Sequence, residues 1–409
     1  MTLDSRVFEH LSCLFPNPSR IGVAVSGGSD STALLQLTQR WAAQNGHRVF
    51  AVTVDHGLRA EAAQEAENVK DCCATLGVSH ETLHWTDWDQ TGNLQGAARA
   101  ARYRLMAQWA KAEGVHAVLL GHTEDDIAET FLMRLARKSG VGGLSAMSAE
   151  FSRDGMRFLR PLLTFSRTNL REYLEGIDID WIDDPSNDNP MFDRVKTRQT
   201  LQALTHMGLG SETIARSARA LSDVKQAVVY YMRQEAHRRV EQNSGDLILD
   251  LSGDLPREIR RRLVSAGLHW FEQQEYPPRG AAMANLENAL TTARQHTVAG
   301  VLVQNLADGR LRMTRELKAV CDLKTPTEQV WDNRWRIEGP HSPDLHVSAL
   351  ADGIIHRADW RDSGLARSTI MAAPSVWRGD TLVSAPILDV NTVWKIKIDT
   401  SFTDFLLSH

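Results

Sequence analysis

The chain has 409 residues, a formal charge of -5, 42% hydrophobic residues and 24% charged residues. That length suits two or three domains, and the composition excludes a disordered or fibrous chain. The negative balance excludes a globally basic nucleic-acid binder, so any RNA contact must come from local basic patches.

Cys13, Cys72, Cys73 and Cys321 form no Cys-x-x-Cys pair, which argues against a disulfide framework and a zinc or iron–sulfur site and fits reduced thiols. The start, MTLDSRVFEHL, has early acidic residues and no long apolar core, unlike a secretion signal. No stretch approaches the roughly 18 consecutive apolar residues of a membrane span. A soluble, cytoplasmic protein is expected.

Ile21–Val25 is a short apolar strand, followed by a helix over residues 31–45. Arg48–Val54 reads as a second strand and residues 60–76, rich in Ala and Glu, as a helix. Residues 80–85 alternate weakly, residues 94–113 carry apolar positions at helical spacing, 115–120 is a buried-strand run and 124–138 is helical. Strands alternating with helices predict an α/β fold, a doubly wound parallel sheet covered on both faces.

Residues 158–163 predict an edge strand, 180–193 an Asp/Asn/Pro-rich ordered loop, and 194–204 a helix. From about residue 211 the texture changes to a long helix over 212–242 and a hairpin over 297–316 around Ala307-Asp308-Gly309. Past about 330 come short strands and turns. The reading is a catalytic domain over 1–210, a mainly helical domain over 211–330 and a small mixed α/β domain over 331–409.

The stretch 26-SGGSDS-31 stands between the first strand and its helix, where ligands of doubly wound sheets bind. Gly27 and Gly28 permit a tight turn, Ser26, Ser29 and Ser31 supply hydroxyls, and the helix start favours an anion. This is a recipe for phosphate or pyrophosphate. Asp30 either helps hold Mg²⁺ between phosphate oxygens or caps the helix.

Asp55 and His56 end the second strand, placed for an adenosine. Arg99 and Arg102 are three apart and share a helix face, as a solvated face or as phosphate contacts. Asp125, Asp126 and Glu129 put carboxylates at the sheet's carboxyl edge, to attract an ammonium group, coordinate Mg²⁺ or favour the helix start. Basic residues cluster at Arg194, Lys196 and Arg198, among 153–171, at 233–239 and at 257–262.

The loop SGGSDS resembles that of the N-type ATP pyrophosphatases, which split ATP into AMP and pyrophosphate and use the AMP to activate a carbonyl oxygen. In order, VDHGLR (54–59), the Ala-Arg-x-x-Arg-Tyr helix, Gly-His-x-x-Asp-Asp-x-x-Glu-Thr with GGLSAM (142–147), RPLL (160–163) and Trp-x-x-Asp-x-Ser-Asn (181–187) resemble the tRNA(Ile)-lysidine synthases. The match covers residues 20 to about 205, and 276–316 also resembles that family.

The resemblance implies an adenine nucleotide α-hydrolase-like fold and ligation of free L-lysine to C2 of the wobble cytidine of a CAU-anticodon tRNA(Ile). ATP and Mg²⁺ would be the cofactors, and an adenylated tRNA the intermediate. AMP and pyrophosphate would leave, and codon reading would change from AUG to AUA. It implies lysine recognition by Asp126 and Glu129, catalysis involving Asp30, His122 and Asp126, and tRNA or phosphate contacts by Arg99, Arg102, Arg194 and Arg198.

The chain departs from that family at Thr123, where a second His is usual, at Ile127, where Gln is common, and at Arg194-Val195, where Arg-Asn is usual. A sulfur-transferring tRNA enzyme would need active cysteines. The middle domain is expected to grip the tRNA body and the last 80 residues to help select it. Oligomeric state is not legible, and a homodimer is left open.

Overall fold

The computed structural model describes residues 2–57, 62–88, 91–183, 193–272, 280–389 and 392–408. Leu58 and Arg59, residues 184–187 and residues 276–279 of the motifs above lie outside them. Two compact units divide the chain, residues 1–225 and 226–409.

The first unit begins α1 (Leu3–Leu14), β1 (Arg20–Ala24), α2 (Ser29–Asn45), β2 (Arg48–Asp55), α3 (Ala62–Thr75), β3 (Ser79–His84), α4 (Leu94–Ala112), β4 (Ala117–Leu120) and α5 (Glu124–Ala136). It continues α6 (Val141–Leu144), β5 (Glu150–Arg153), β6 (Met156–Leu159), α7 (Arg167–Gly176) and α8 (Asp193–Thr205); α9 (Ser211–Arg239) runs through the division.

The strands form one sheet in the order β3-β2-β1-β4-β6-β5. All neighbours are parallel except β5 and β6. From β1 the chain goes to β2 on one side and later to β4 on the other, so the turn after β1 lies where the strand order reverses, the usual ligand crevice of such sheets.

The apolar runs explain the layers. Val23, Ala51, Ala117 and Leu119 point to one face, where they pack with Leu34, Leu35 and Trp41 of α2, Val69 of α3 and Leu170 of α7. Phe50, Val52, Val118, Leu120 and Phe158 point to the other, under Tyr103, Met106 and Trp109 of α4. Strands buried on both faces lose polar alternation, which is why β1, β2 and β4 read as continuous apolar runs.

The 158–163 expectation needs correction. The strand occupies Met156–Leu159 and lies one position inside the edge, and the edge strand is β5. Pro161 lacks the N–H a ladder needs, and the short polar Glu150–Arg153 segment gave no strand signal.

The second unit holds β7 (Val240–Asn243), β8 (Asp246–Leu249), α10 (Arg257–Glu272), α11 (Gly280–Thr292), β9 (Gln295–Val298), β10 (Val301–Asn305) and β11 (Leu311–Arg315). Then follow α12 (Leu317–Val320), β12 (Thr325–Pro326), β13 (Trp335–Glu338), β14 (Leu345–Ala349), α13 (Arg367–Met371), β15 (Pro374–Arg378), β16 (Thr381–Ser384), β17 (Lys395–Ile398) and α14 (Phe402–Ser408). Its sheets run β7-β8-β11-β10-β9, β12-β14-β15-β16 and β13-β17.

The 297–316 hairpin forms as β10 and β11, closed by Leu306 N–H on Arg310 O at 2.8 Å. One core joins both sides of residue 330: Phe402, Phe405 and Leu406 pack with Leu247, Trp270 and Met313. Arg334 is 1% exposed, with its guanidinium 4.3 Å from the ring centres of both Trp270 and Phe271.

Many of this unit's arginines are locally neutralised. Arg261 and Arg262 both bind Glu258, Arg238 and Arg239 bind Glu235, and Arg257 binds Glu287.

Candidate active site

The turn after β1 is built around Gly27. Its φ is +86°, and a Cβ there would lie 2.6 Å from Ile182 Cδ1, so only glycine fits. Ile182 N–H donates to Gly27 O at 2.9 Å, pinning residues 181–183 on the loop.

Ser31 Oγ donates to Gly28 O at 3.0 Å and accepts from Ser26 N–H at 3.1 Å; Thr32 Oγ1 donates to Gly27 O at 3.2 Å. These bonds hold the turn without using the first N–H groups of α2, which a helix start leaves for an anion. Gly121 after β4 lets the next turn approach, since its Cβ would sit 3.0 Å from the Ser31 backbone.

Opposite the loop, α5 starts at the carboxyl edge with a capping box. Thr123 N–H and Oγ1 both donate to Asp126 Oδ2, at 2.9 and 3.1 Å. Asp125 serves structure instead. It accepts from Arg167 N–H at 2.7 Å and Ser211 Oγ at 2.9 Å. Ile127 is buried with Leu163, Ala215 and Ala218, and Val195 is buried too. Of the three departures, Thr123 is therefore a helix cap, while Ile127 and Val195 are packing residues.

Asp30, Asp126 and Glu129 converge on three arginines. Arg167 Nε reaches Asp30 Oδ2 at 3.0 Å, and its other nitrogens approach Glu129 at 3.5 Å and Asp126 at 4.0 Å. Arg194 bridges Asp126 Oδ1 at 3.1 Å and Glu129 Oε2 at 2.9 Å. Arg198 Nε donates to Glu129 Oε1 at 2.7 Å. Glu129 is 1% exposed, and such burial of a carboxylate requires charged partners.

Burial raises the Asp30 carboxyl above its ordinary range although Arg167 opposes it. Burial acts likewise on Asp126, but Arg194, Arg167 and the Thr123 N–H outweigh it and hold that carboxyl low. Burial pushes the His122 imidazole down to about 3, with Arg160, Arg102 and Arg194 adding and Asp126 opposing. His122 is thus neutral near pH 7, and its Nδ1 is buried without a partner.

At the end of β2, Asp55 Oδ1 accepts from Gly57 N–H at 2.8 Å, and His56 stacks edge-on against Trp85 with its Nδ1 unpartnered. Arg99 and Arg102 gather around Tyr103 and make no ion pair with these carboxylates among the described residues.

Two site residues were read differently in the sequence. Arg167 and Arg171 appeared there as members of a basic run. In the structure α7 aims them at the loop, Arg167 on Asp30 and Arg171 Nε on Ser29 Oγ at 3.4 Å. The helical spacing of four was the available signal. Burial raises the thiols of Cys72 and Cys73, the latter to about 12, which makes them poor nucleophiles. No helix among the described residues is long and apolar enough to cross a membrane.

A loop of this construction, at the strand-order reversal of a parallel sheet, defines an ATP-using PP-loop domain, and the model of that family, the PP-loop domain, matches residues 3–204. Over most of its length the chain is similar to tRNA(Ile)-lysidine synthases. It is 42% identical to that of Ruegeria pomeroyi over 96% of this chain and 95% of the relative. It is 40% identical to that of Zymomonas mobilis over 71% of this chain and 87% of the relative. The chain belongs to the tRNA(Ile)-lysidine synthase family, and it is an ATP-using ligase. Among solved structures, the U34-tRNA thiolase NcsA of Methanococcus maripaludis is similar at 18% identity and a TM-score of 0.47, over 54% of this chain and 77% of that one.

Proposed function

We propose that the enzyme ligates free L-lysine to C2 of the wobble cytidine of a CAU-anticodon tRNA(Ile), in the cytoplasm. In the first step the cytidine O2 attacks the α-phosphorus of ATP, and pyrophosphate leaves. In the second the lysine ε-amine, after losing a proton, attacks C2. The C2–O bond breaks, AMP leaves with that oxygen, and lysidine remains.

The observation that carries this reading is the buried Asp126–Glu129 pair, held by guanidinium groups beside the PP-loop. Arg194 and Arg198 stand where an alkylammonium would be received, because a cationic donor is what two buried carboxylates require. The N–H groups at the start of α2, with Ser26, Gly27, Gly28, Ser29 and Ser31, bind the ATP phosphates; Asp55 and His56 border the adenosine.

A Mg²⁺ ion fits Asp30. No group of three or more carboxylate, His or Cys ligands occurs among the described residues, and Mg²⁺ is commonly held by one or two carboxylates plus phosphate oxygens. Such an ion would neutralise phosphate charge. His122, neutral and with a free ring nitrogen, orients substrate by hydrogen bonding; an imidazole titrating near 3 is too weak a base for the ammonium proton.

The test is incorporation of radiolabelled lysine by purified protein, ATP and Mg²⁺ into unmodified tRNA(Ile) transcripts bearing CAU. Label on that transcript and none on tRNA(Met) is expected. No lysine-dependent label sinks the assignment.

A further inference from the structure

Helix α5 opens with three carboxylates in a row, Glu124, Asp125 and Asp126. Asp126, with Glu129 one turn on, is paired with the arginines beside the PP-loop. Glu124 and Asp125 have other partners, and each has one on the first turns of α9.

Glu124 is 8% exposed and pairs with Arg219 Nη2. Its backbone N–H donates to Phe165 O at 3.0 Å. Asp125 accepts from Ser211 Oγ at 2.9 Å and from the Arg167 N–H at 2.7 Å, so one carboxylate ties the starts of α5, α7 and α9. A third link runs through the segment after α6. Ala146 N–H donates to Ala218 O at 3.0 Å and to Ser222 Oγ at 2.9 Å. Arg134, in the last turn of α5, holds the other end of that segment through Gly143 O at 2.8 Å.

Positions 211, 215, 218, 219 and 222 recur every three or four residues and so share one side of α9. Ala215 and Ala218 are fully buried there, packed with Ile127 and Leu163. Their small side chains leave the two helices near enough for the polar links above. All these residues belong to the first unit.

Apolar packing alone would bury this side of α5, and a buried carboxylate is costly unless paired. What a directed ion pair and hydrogen bonds add is a single register, where apolar surfaces can slide. The register of α5 matters because Asp126 directly follows Glu124 and Asp125 on the same helix. A displaced helix start carries Asp126 and Glu129 away together from Arg167, Arg194 and the PP-loop.

We propose that Arg219 and Ser211 are positioning residues for the ligation. Acting through Glu124 and Asp125, they fix the start of α5 and so set where Asp126 and Glu129 meet the lysine ammonium. Neither touches a substrate. This assignment rests on the lysine reading of Asp126 and Glu129 above and adds what holds that pair in place. Its partners are 95 and 86 positions apart in sequence.

The test uses full-length protein and steady-state lysine transfer to a CAU-bearing tRNA(Ile) transcript, with ATP and RNA binding titrated separately. Arg219→Gln leaves Glu124 buried without its cation. It is expected to raise the lysine KM about tenfold, a fraction of the roughly hundredfold that a 1 Å misplacement can cost. The kcat at saturating lysine and the Kd values for ATP and RNA stay within about twofold, the split expected when only lysine binding is weakened.

Arg219→Lys keeps the charge and should restore most of the KM. Adding Glu124→Gln to Arg219→Gln should do the same, since no buried charge then lacks a partner. In an Asp126→Asn background, Arg219→Gln should raise the KM by a smaller factor than in wild type, because one of the two carboxylates it positions no longer binds lysine. Ser211→Ala removes a single hydroxyl and should raise the lysine KM in the same direction. It supplies the readout should Arg219→Gln not fold.

A loss confined to melting temperature and kcat, the mark of contacts that serve folding alone, overturns the proposal. Wild type that transfers no lysine would refute the reaction itself. Wild type that transfers lysine while folded Arg219→Gln and Ser211→Ala keep its lysine KM would refute the positioning role alone.

Discussion

Asp126→Asn separates lysine recognition from folding. Asp126 Oδ2 receives both bonds of the capping box, at 2.9 and 3.1 Å from Thr123. An amide oxygen can accept the same two, so the capping box survives and α5 keeps its start. The change removes the acceptor of the Arg194 bond at 3.1 Å and one of the carboxylates that balance Arg167, Arg194 and Arg198. A bond to a charged group contributes about 1.5–3 kcal/mol, which is roughly tenfold to hundredfold in affinity. The excess positive charge acts in the same direction against an ammonium. The expected result is a lysine KM raised roughly ten- to a hundredfold, with ATP binding within about twofold and a cooperative unfolding transition at a somewhat lowered melting temperature. Steady-state lysine transfer, ATP titration and thermal unfolding measure the three quantities. A normal lysine KM in a folded variant would refute Asp126 as a lysine ligand.

Gly27→Ala forces a side chain onto a φ of +86° and into Ile182 Cδ1 at 2.6 Å; the left-handed conformation alone costs about 1–2 kcal/mol. A lower melting temperature and weaker ATP binding are expected, and adding Ile182→Ala should recover only the part due to the contact. Asp246 is 6% exposed, and burial raises its carboxyl to about 6, although Thr369 and Thr314 oppose it. Between about pH 4 and 6 the folded state thus binds more protons than the unfolded, so this group's contribution to stability falls as pH rises through that window, by about 3 kcal/mol. Asp246→Asn can keep the Thr369 Oγ1 bond, at 2.6 Å in the wild type, and should be more stable than wild type at pH 7 but not at pH 4 in urea unfolding. Equal pH dependence in the two proteins would contradict the assignment.

The layers of the first unit were legible because apolar strands and amphipathic helices carry their own period. Helices α2 to α5 and strands β1 to β4 lie within a few residues of the sequence reading. Segment Glu150–Arg153 was illegible because an edge strand of four residues with polar side chains carries no pattern. The PP-loop was legible because its glycines answer a local demand, the positive φ at Gly27. The same holds for the hairpin turn at Gly309, with a φ of +83°. The site's charge pairing was not legible. Arg167 meets Asp30 across 137 positions, and Arg194 meets Asp126 across 68. Neither separation has a periodicity.

That gap bears on how a chain of net charge -5 holds a polyanion. Runs of arginine in sequence were the natural candidates, but adjacency does not measure available charge. Arg261 and Arg262 share Glu258, and Arg157 is bound twice by Glu150, at 2.5 and 2.9 Å. Each such pair adds little to a long-range field, which falls off within about 8 Å at physiological salt. Arg99 and Arg102 instead lie 5.3 Å from the Tyr103 ring centre and Arg160 4.2 Å from that of Phe151, none of them ion-paired with a carboxylate among the described residues. For an acidic enzyme of a polyanionic substrate, specificity of placement follows from this arrangement. Paired arginines offset the burial of Asp126 and Glu129 inside the site, and the positive charge left for a polyanion is the part that no carboxylate neutralises.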